Sequence, residues 1–385
     1  MPEGVGSVST KFFTFGSADR PFVLMNGAAL PEVTLAYETY GALNEARDNA
    51  VLVFHALTGS HHAAGHNPSL PEVGTRWTEE YHVGWWDDFI GPGKAVDTDK
   101  WFVICANYLG GCYGSTGPTS IDPATGVPYS SRFPRVRFGD MVDTQVELAR
   151  SLGIEKLHAA IGGSTGGFMV LSLATRYPDF VDVAVPIASG LRTTSLHTLL
   201  NFEQMNAIYA DPDFRGGDYH VERPPNRGLA LARIISHKSF ISLKDLRLRA
   251  RDEVIETSDQ PGALPIEHPL ESYMWHQGAK FVDRFDANSY LRIVDAWQNF
   301  DLVTEAGVED MSEVFVACKH QRYLVFSIDS DVCYYQDEQQ EMVEYLETAD
   351  VPNRWITVHS DKGHDSFLLE PDLYAPHLAN TLSGW

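Results

Sequence analysis

The stretch Leu157-His158-Ala159-Ala160-Ile161-Gly162-Gly163-Ser164-Thr165-Gly166-Gly167-Phe168 decides how this chain folds. A short apolar run leads into Gly-x-Ser-x-Gly, and Met169-Val170-Leu171-Ser172-Leu173-Ala174 continues it with the composition of a helix. A strand that reverses into a helix within a few residues leaves no room for side chains beside the turning residue. Glycines at 162 and 166 let the two elements approach closely, and the Ser164 hydroxyl is left exposed at the tip. The following helix aims its N-terminal N–H groups at any charge that develops on a carbonyl held there.

The flanking sequence supplies the rest of a sheet. Phe22-Val23-Leu24-Met25 and Thr34 to Tyr40 are short apolar runs separated by turns. Val51-Leu52-Val53-Phe54-His55 and Trp101 to Ala106 are continuously apolar, as expected of strands covered on both faces. The first of these two ends in Ala56-Leu57-Thr58-Gly59, where this kind of fold places a second oxyanion N–H. The other runs into Asn107 to Pro118, glycine-rich but without the Walker lysine or the dinucleotide spacing, so it reads as a tight loop near the site. Apolar spacing predicts a helix over Met141 to Leu152, and Val181 to Ile187 is a further strand. Strand character then lapses until Tyr323 to Ile328 and Arg354 to Val358. The intervening Ser189 to Ser312 is helix-like and rich in charged and aromatic residues, with loops at Asp211 to Asn226 and Gln260 to His268.

This succession is α/β in class. It describes an α/β-hydrolase fold with a mostly parallel, doubly wound sheet and a nucleophile elbow at Ser164. The expected division is a core of residues 1–188 and 313–385, with 189–312 inserted as a helical lid over the C-terminal edge of the sheet. Such lids shape pockets and limit water entry.

Composition narrows the partners. With 385 residues and 44% hydrophobic content, the chain can bury a large core. Lys and Arg total 29 against 52 Asp and Glu, and the net charge of -23 opposes long-range attraction to nucleic acid or an anionic membrane. An anionic substrate therefore needs a local patch of arginine or backbone N–H groups. Cys105, Cys112, Cys318 and Cys333 are too few for a disulfide framework and lack metal spacing, so buried thiols in a reducing cytoplasm are expected. Met1 to Ala18 is largely polar without an apolar signal core, and no run is long enough to span a bilayer, which points to a soluble cytoplasmic protein.

A serine hydroxyl is a poor nucleophile until a base removes its proton, and the base needs an acid to hold its tautomer. In this fold the order is Ser, then Asp or Glu, then His. Asp331 lies just past the strand ending Ser327-Ile328, with Asp329 as the rival acid two residues earlier. His364, in Asp361-Lys362-Gly363-His364-Asp365 just past the last strand, stands out among 15 histidines by position. No metal is required by this chemistry, and no ligand cluster with suitable spacing is seen.

Several strings together resemble the homoserine O-acetyltransferase family over nearly the whole chain. They are His55 to Gly59, Gly91 to Lys94, Leu109 to Pro118, Gly162 to Gly167, Gly228 to Arg233, Arg284-Phe285-Asp286-Ala287-Asn288-Ser289-Tyr290-Leu291, and Gly363 to Leu368. The resemblance implies ping-pong acyl transfer from acyl-coenzyme A, a co-substrate and not a resident cofactor, to the hydroxyl of homoserine or a relative such as serine. Acetyl ranks ahead of succinyl as the acyl group. It implies Ser164 as acyl carrier, His364 as proton shuttle and Asp331 as its orienting acid. The backbone N–H groups of Leu57 and Thr165 would form the oxyanion hole, and Arg233 and Asp365 would hold the amino acid. A homodimer formed through the lid and a place in methionine biosynthesis are further family expectations. The alternative is a hydrolase of the esterase or thioesterase kind, using the same triad with water as acceptor.

Departures from the family pattern bear on the acceptor. Thr165 stands where methionine is usual, and Ser60-His61-His62 where Asp-Ser-His is. Phe240 replaces a tyrosine near the arginine, Lys238 replaces an apolar neighbour, and Trp275, Trp297 and Gln298 also differ from the commoner residues. Loss of a phenol removes a hydrogen bond of the kind that discriminates substrates.

Overall fold

The computed structural model describes residues 4–249 and 265–384. Of the loop expected at Gln260 to His268, residues 260–264 lie outside the described residues, as do 250–259 of the expected lid.

Eight strands form one sheet: β1 (Lys11–Phe15), β2 (Val33–Tyr40), β3 (Ala50–Phe54), β4 (Phe102–Ala106), β5 (Leu157–Gly163), β6 (Val181–Ile187), β7 (Arg322–Ile328) and β8 (Asn353–Val358). Their spatial order is β1-β2-β4-β3-β5-β6-β7-β8. β2 runs antiparallel to both β1 and β4, and every pairing from β4 onward is parallel. The fold is thus an α/β-hydrolase fold with a mostly parallel sheet. Strand β1 falls within the N-terminal stretch read only as polar. It is an edge strand, exposed or half-exposed along its length, and such a strand carries no continuous apolar run to reveal it. The run at Phe22 to Met25 forms only a two-residue strand, paired with Ala29–Leu30 outside the main sheet.

Alternation of side chains across each strand divides the core in two. Leu52 and Phe54 of β3 and Ala160 of β5 face one core, while Val51, Val53, Ala159 and Ile161 face the other. The first core is closed by α1 (Phe138–Ser151), α2 (Thr165–Arg176) and a late helix, Gln336–Thr348. The C-terminal helix Pro371–Ser383 and residues around Trp86 to Val96 close the second. Helix α1 starts earlier than its apolar spacing suggests, because Asp140 accepts the Arg137 N–H at 2.7 Å and caps the first turn.

Between β6 and β7 the described residues add no strand to the sheet. They form α3 (Ser195–Tyr209), α4 (Asn226–Phe240), α5 (Leu243–Arg249), α6 (Pro269–Arg284) and α7 (Ala287–Gln298), then short helices at Leu302–Ala306 and Met311–Val314. The pairs α3 and α4, and α4 and α6, pack together. Leu302–Ala306 packs on α2 instead, where Glu305 accepts the Ser172 hydroxyl at 2.7 Å. Among the described residues no helix is long and apolar enough to cross a membrane, and all four cysteines are buried and unpaired.

The approach of β5 to α2 depends on missing side chains. A Cβ on Gly162 would lie 2.4 Å from the Gly166 carbonyl oxygen, and one on Gly166 would lie 2.5 Å from that of Phe54. Neither obstacle is a flexible side chain. Gly162→Ala and Gly166→Ala are each expected to lower stability by at least about 1–3 kcal/mol, the usual cost of overpacking. A melting temperature unchanged in both would contradict this account of the turn.

Candidate active site

Ser164 sits at the reversal with φ 59° and ψ -127°, a conformation that side-chain-bearing residues rarely adopt. Its own N–H is tied to Ile187 O at 2.9 Å, and its carbonyl accepts the Gly167 N–H at 2.9 Å. The turn is therefore held from β6 on one side and from α2 on the other. Ser164 is 5% exposed and opens on a cavity of about 270 Å³.

The last two parallel strands place an acid and a base against this elbow. Asp331 follows β7, and the N–H groups of Cys333 and Tyr334 donate to its Oδ1 at 2.7 and 3.0 Å. Its Oδ2 is left for His364 Nδ1, at 2.7 Å. Asp329 points elsewhere, accepting His359 Nδ1 at 2.8 Å and the Ser360 N–H at 3.0 Å. The His364 ring stacks on Tyr334 with centroids 5.3 Å apart, and its Nε2 is buried without a hydrogen-bond partner among the described residues. Burial opposes charging of this imidazole, but the attraction and hydrogen bond of Asp331 outweigh it and hold its pKa above 6.5.

Ser164, His364, Leu57, Arg233 and Asp365 all line the one cavity. Thr165 is fully buried at the first position of α2, next to Ser164. Among the described residues, the Leu57 and Thr165 N–H groups donate to no carbonyl in the surrounding turns. The Arg233 guanidinium makes no hydrogen bond or ion pair among those residues, and lies over the rings of Phe240 and Phe281 at 5.5 and 5.2 Å. Burial, and then the like charge of Arg284, lower its pKa from 12.5. Burial raises the Asp365 carboxyl above 3.8, against the attraction of His364 and Arg233.

Tyr81, Trp85 and Arg284 also line the cavity, and the sequence reading assigned them no role. Arg284 was in view only as part of a family string; its approach to Tyr81 depends on where α6 ends. The glycine-rich loop expected near the site reaches it through Tyr113, whose hydroxyl is 2.9 Å from that of Tyr81. Its amides are engaged within the protein: Gly110 N donates to Thr116 O, Gly111 N to Tyr108 O and Thr116 N to Thr34 O.

The departures from the family pattern divide by place. Phe240 lines the cavity, so the missing phenol is a change at the site itself. Trp275 and Lys238 are exposed, at 55% and 54%. Trp297 is buried against His197 and Tyr334, behind His364, and Gln298 has a buried, unpaired Oε1. Ser60, His61 and His62 are buried beneath the loop, where Glu38 accepts His62 Nδ1 at 2.7 Å, the Tyr40 hydroxyl at 2.8 Å and Asn67 Nδ2 at 2.8 Å. Burial, chiefly, pushes His61 down to about 4.

Residues 49–371 match the family model described as alpha/beta hydrolase fold. Fold and site thus define an enzyme of the α/β-hydrolase class. The homoserine O-acetyltransferase of Solidesulfovibrio magneticus is 44% identical over 371 residues, covering 95% of this chain and 90% of that one. That of Carboxydothermus hydrogenoformans is 42% identical over 386 residues, covering 99% and 97%. Two solved structures are similar at 26% identity: homoserine O-acetyltransferase from Bacillus anthracis, with TM-score 0.85 over 98% of both chains, and esterase E22, with TM-score 0.86 over 98% of this chain and 100% of that one. The chain belongs to the homoserine O-acetyltransferase family, whose members are acyltransferases.

The environment of His364 carries a pH signature. With His364 as the base for Ser164, labelling of Ser164 by a serine-directed acylating reagent is expected to rise in rate with pH through a midpoint above 6.5. In Asp331→Asn the group that raises the midpoint most is gone while burial and Asp365 remain, so the midpoint is expected to fall and the rate to drop on the order of 10³–10⁴-fold. An unshifted midpoint in that variant would separate Asp331 from the chemistry.

Proposed function

We propose that the protein transfers an acetyl group from acetyl-coenzyme A to the hydroxyl of homoserine or a close relative, through an acyl-enzyme on Ser164. Ser164 Oγ attacks the thioester carbonyl as His364 Nε2 takes its proton. The Leu57 and Thr165 N–H groups receive the oxyanion. Collapse breaks the carbon–sulfur bond, and His364 returns the proton to the departing thiol. The amino-acid hydroxyl then gives its proton to His364 and attacks the acyl-enzyme; the ester leaves and Ser164 regains a proton. Coenzyme A is thus a co-substrate.

The observation that carries this reading is the Arg233 guanidinium, without an ionic partner among the described residues, in the same cavity as Ser164 and His364. A half-buried cation with no ion-pair partner among the described residues calls for an anion, and the planar fork of arginine suits an α-carboxylate. Asp365 beside it suits the α-ammonium. Relatives named homoserine O-acetyltransferase at about the same length support the acceptor. The described helices between β6 and β7 act as the lid in this reading, with Phe240 the change that bears most directly on acceptor choice.

A second reading is favoured by one observation. Esterase E22 matches the fold as closely as the acetyltransferase structure does, at TM-scores of 0.86 and 0.85. With water as acceptor, the same residues would hydrolyse the acyl-enzyme.

Assembly and location follow the family. The exposed apolar side chains Leu199 and Phe202 on α3 and Leu231 on α4 support a homodimer formed through the lid. Four buried free thiols fit a reducing cytoplasm.

Release of free coenzyme A from acetyl- or succinyl-coenzyme A, with homoserine, serine or no acceptor, tests the reading. Acetyl-coenzyme A with homoserine is expected to turn over fastest. Arg233→Ala should raise KM for the amino acid roughly 10- to 100-fold, the effect of losing a charged hydrogen bond. Release indifferent to every amino acid would favour the hydrolase.

A further inference from the structure

The string Arg284-Phe285-Asp286-Ala287-Asn288-Ser289-Tyr290-Leu291 takes no part in the acyl transfer described so far. Structurally it is the joint between α6 and α7. Asp286 caps α7 by accepting the Ser289 N–H at 2.8 Å, and Asn288 Nδ2 donates to Gly217 O at 2.7 Å. The Phe285 ring meets Tyr113 edge-on at 5.7 Å and Tyr290 at 6.0 Å. These contacts fix the place of Arg284, the last residue of α6.

From there the Arg284 side chain crosses to the loop after β3. Its Nη1 donates to the Thr58 carbonyl at 3.3 Å and to the Tyr81 hydroxyl. Tyr81 in turn donates to the same Thr58 carbonyl at 3.0 Å. The Tyr113 hydroxyl donates to the backbone carbonyl of Arg284 at 2.7 Å, which closes the cluster on itself. One carbonyl of the oxyanion loop is therefore held by two donors. Ala56 O accepts the Gly59 N–H at 3.0 Å, so Thr58 lies within the same tight turn as Leu57. The guanidinium lies over Phe281 and Tyr81 at 4.9 and 5.4 Å, and no carboxylate among the described residues forms an ion pair with it. Glu80, also on the cavity wall, is engaged by Lys280.

We propose that Arg284 is a positioning residue for the oxyanion hole. Held together with Tyr81 on the Thr58 carbonyl, it sets the turn that presents the Leu57 N–H to the tetrahedral intermediate. Because it belongs to the α6–α7 joint, docking of that joint and competence of the oxyanion hole are linked. The inference rests on the roles given above to Ser164 and Leu57.

The test uses p-nitrophenyl acetate, which acylates Ser164 without coenzyme A or amino acid, so its outcome does not depend on the transferase reading. In Arg284→Gln the rate constant of the acylation burst is expected to fall about 10- to 100-fold, somewhat less than deletion of an oxyanion donor, with KM for the ester changed less than about threefold. Affinity for a boronic acid, which mimics the tetrahedral state, should weaken in parallel. Arg284→Lys restores the charge without the planar fork and should recover part of the rate. Tyr81→Phe keeps the ring and removes one donor from the Thr58 carbonyl, so a loss of about 3- to 10-fold is expected, as for one neutral hydrogen bond. That milder variant carries the test if Arg284→Gln does not fold. Burst rate and boronate affinity at wild-type values in the folded variants would overturn the proposal alone. A wild-type protein that releases p-nitrophenol at the same rate as its Ser164→Ala variant would overturn the acyl-enzyme reading, and this proposal with it.

Discussion

The close packing of strand β5 against helix α2 is the constraint on which the rest of the structure depends. Gly162 and Gly166 meet backbone to backbone, and Ser164 between them is forced to a positive φ. This strain puts a hydroxyl where two elements of regular structure hold it from both sides, with the start of a helix beneath it. The parallel strands on either side then do the remaining work of placement. Loops leaving the same edge of the sheet bring Leu57 after β3 and His364 after β8 to one cavity, and Asp331 after β7 against His364. A site built on strand ends is rigid because its supports are the core itself.

Charge is distributed against the average of the molecule. A chain with net charge -23 concentrates Arg233 and Arg284 on the wall of one cavity. Their mutual repulsion opposes holding both charges there, and in the proposed function an anionic acceptor relieves it. The two guanidiniums are not equivalent. Arg284 is tied to neutral oxygens, those of Thr58 and Tyr81, and Arg233 has no hydrogen bond or ion pair among the described residues. Both come from the helices between β6 and β7, so those helices supply charge to the cavity wall.

Much of this was legible in the sequence, and the exceptions have physical reasons. Strands buried on both faces read as unbroken apolar runs, and β3, β4, β6 and β7 were placed to within a residue or two. Edge strand β1, half-exposed, gave no such signal. Order along the chain points to Ser164, to Asp331 with Asp329 as its rival, and to His364. The choice between Asp329 and Asp331 turns on which carboxylate the Cys333 and Tyr334 amides hold toward His364. Spacing alone does not contain that. Arg284 and Tyr81 were missed as cavity residues because they meet from segments about two hundred residues apart. The weight given to Trp275 as a departure was also a matter of place: its side chain is exposed and away from the cavity.

The central claim is that an acyl group rests on Ser164 between a thioester and an amino-acid hydroxyl. Intact-protein mass spectrometry after rapid mixing with acetyl-coenzyme A, without acceptor, tests it most directly. The account predicts a species heavier by one acetyl group, mapped by fragmentation to Ser164 and discharged within the mixing time when homoserine is added. An acetyl group lost at the same rate with and without the amino acid, or never found on Ser164, would contradict it.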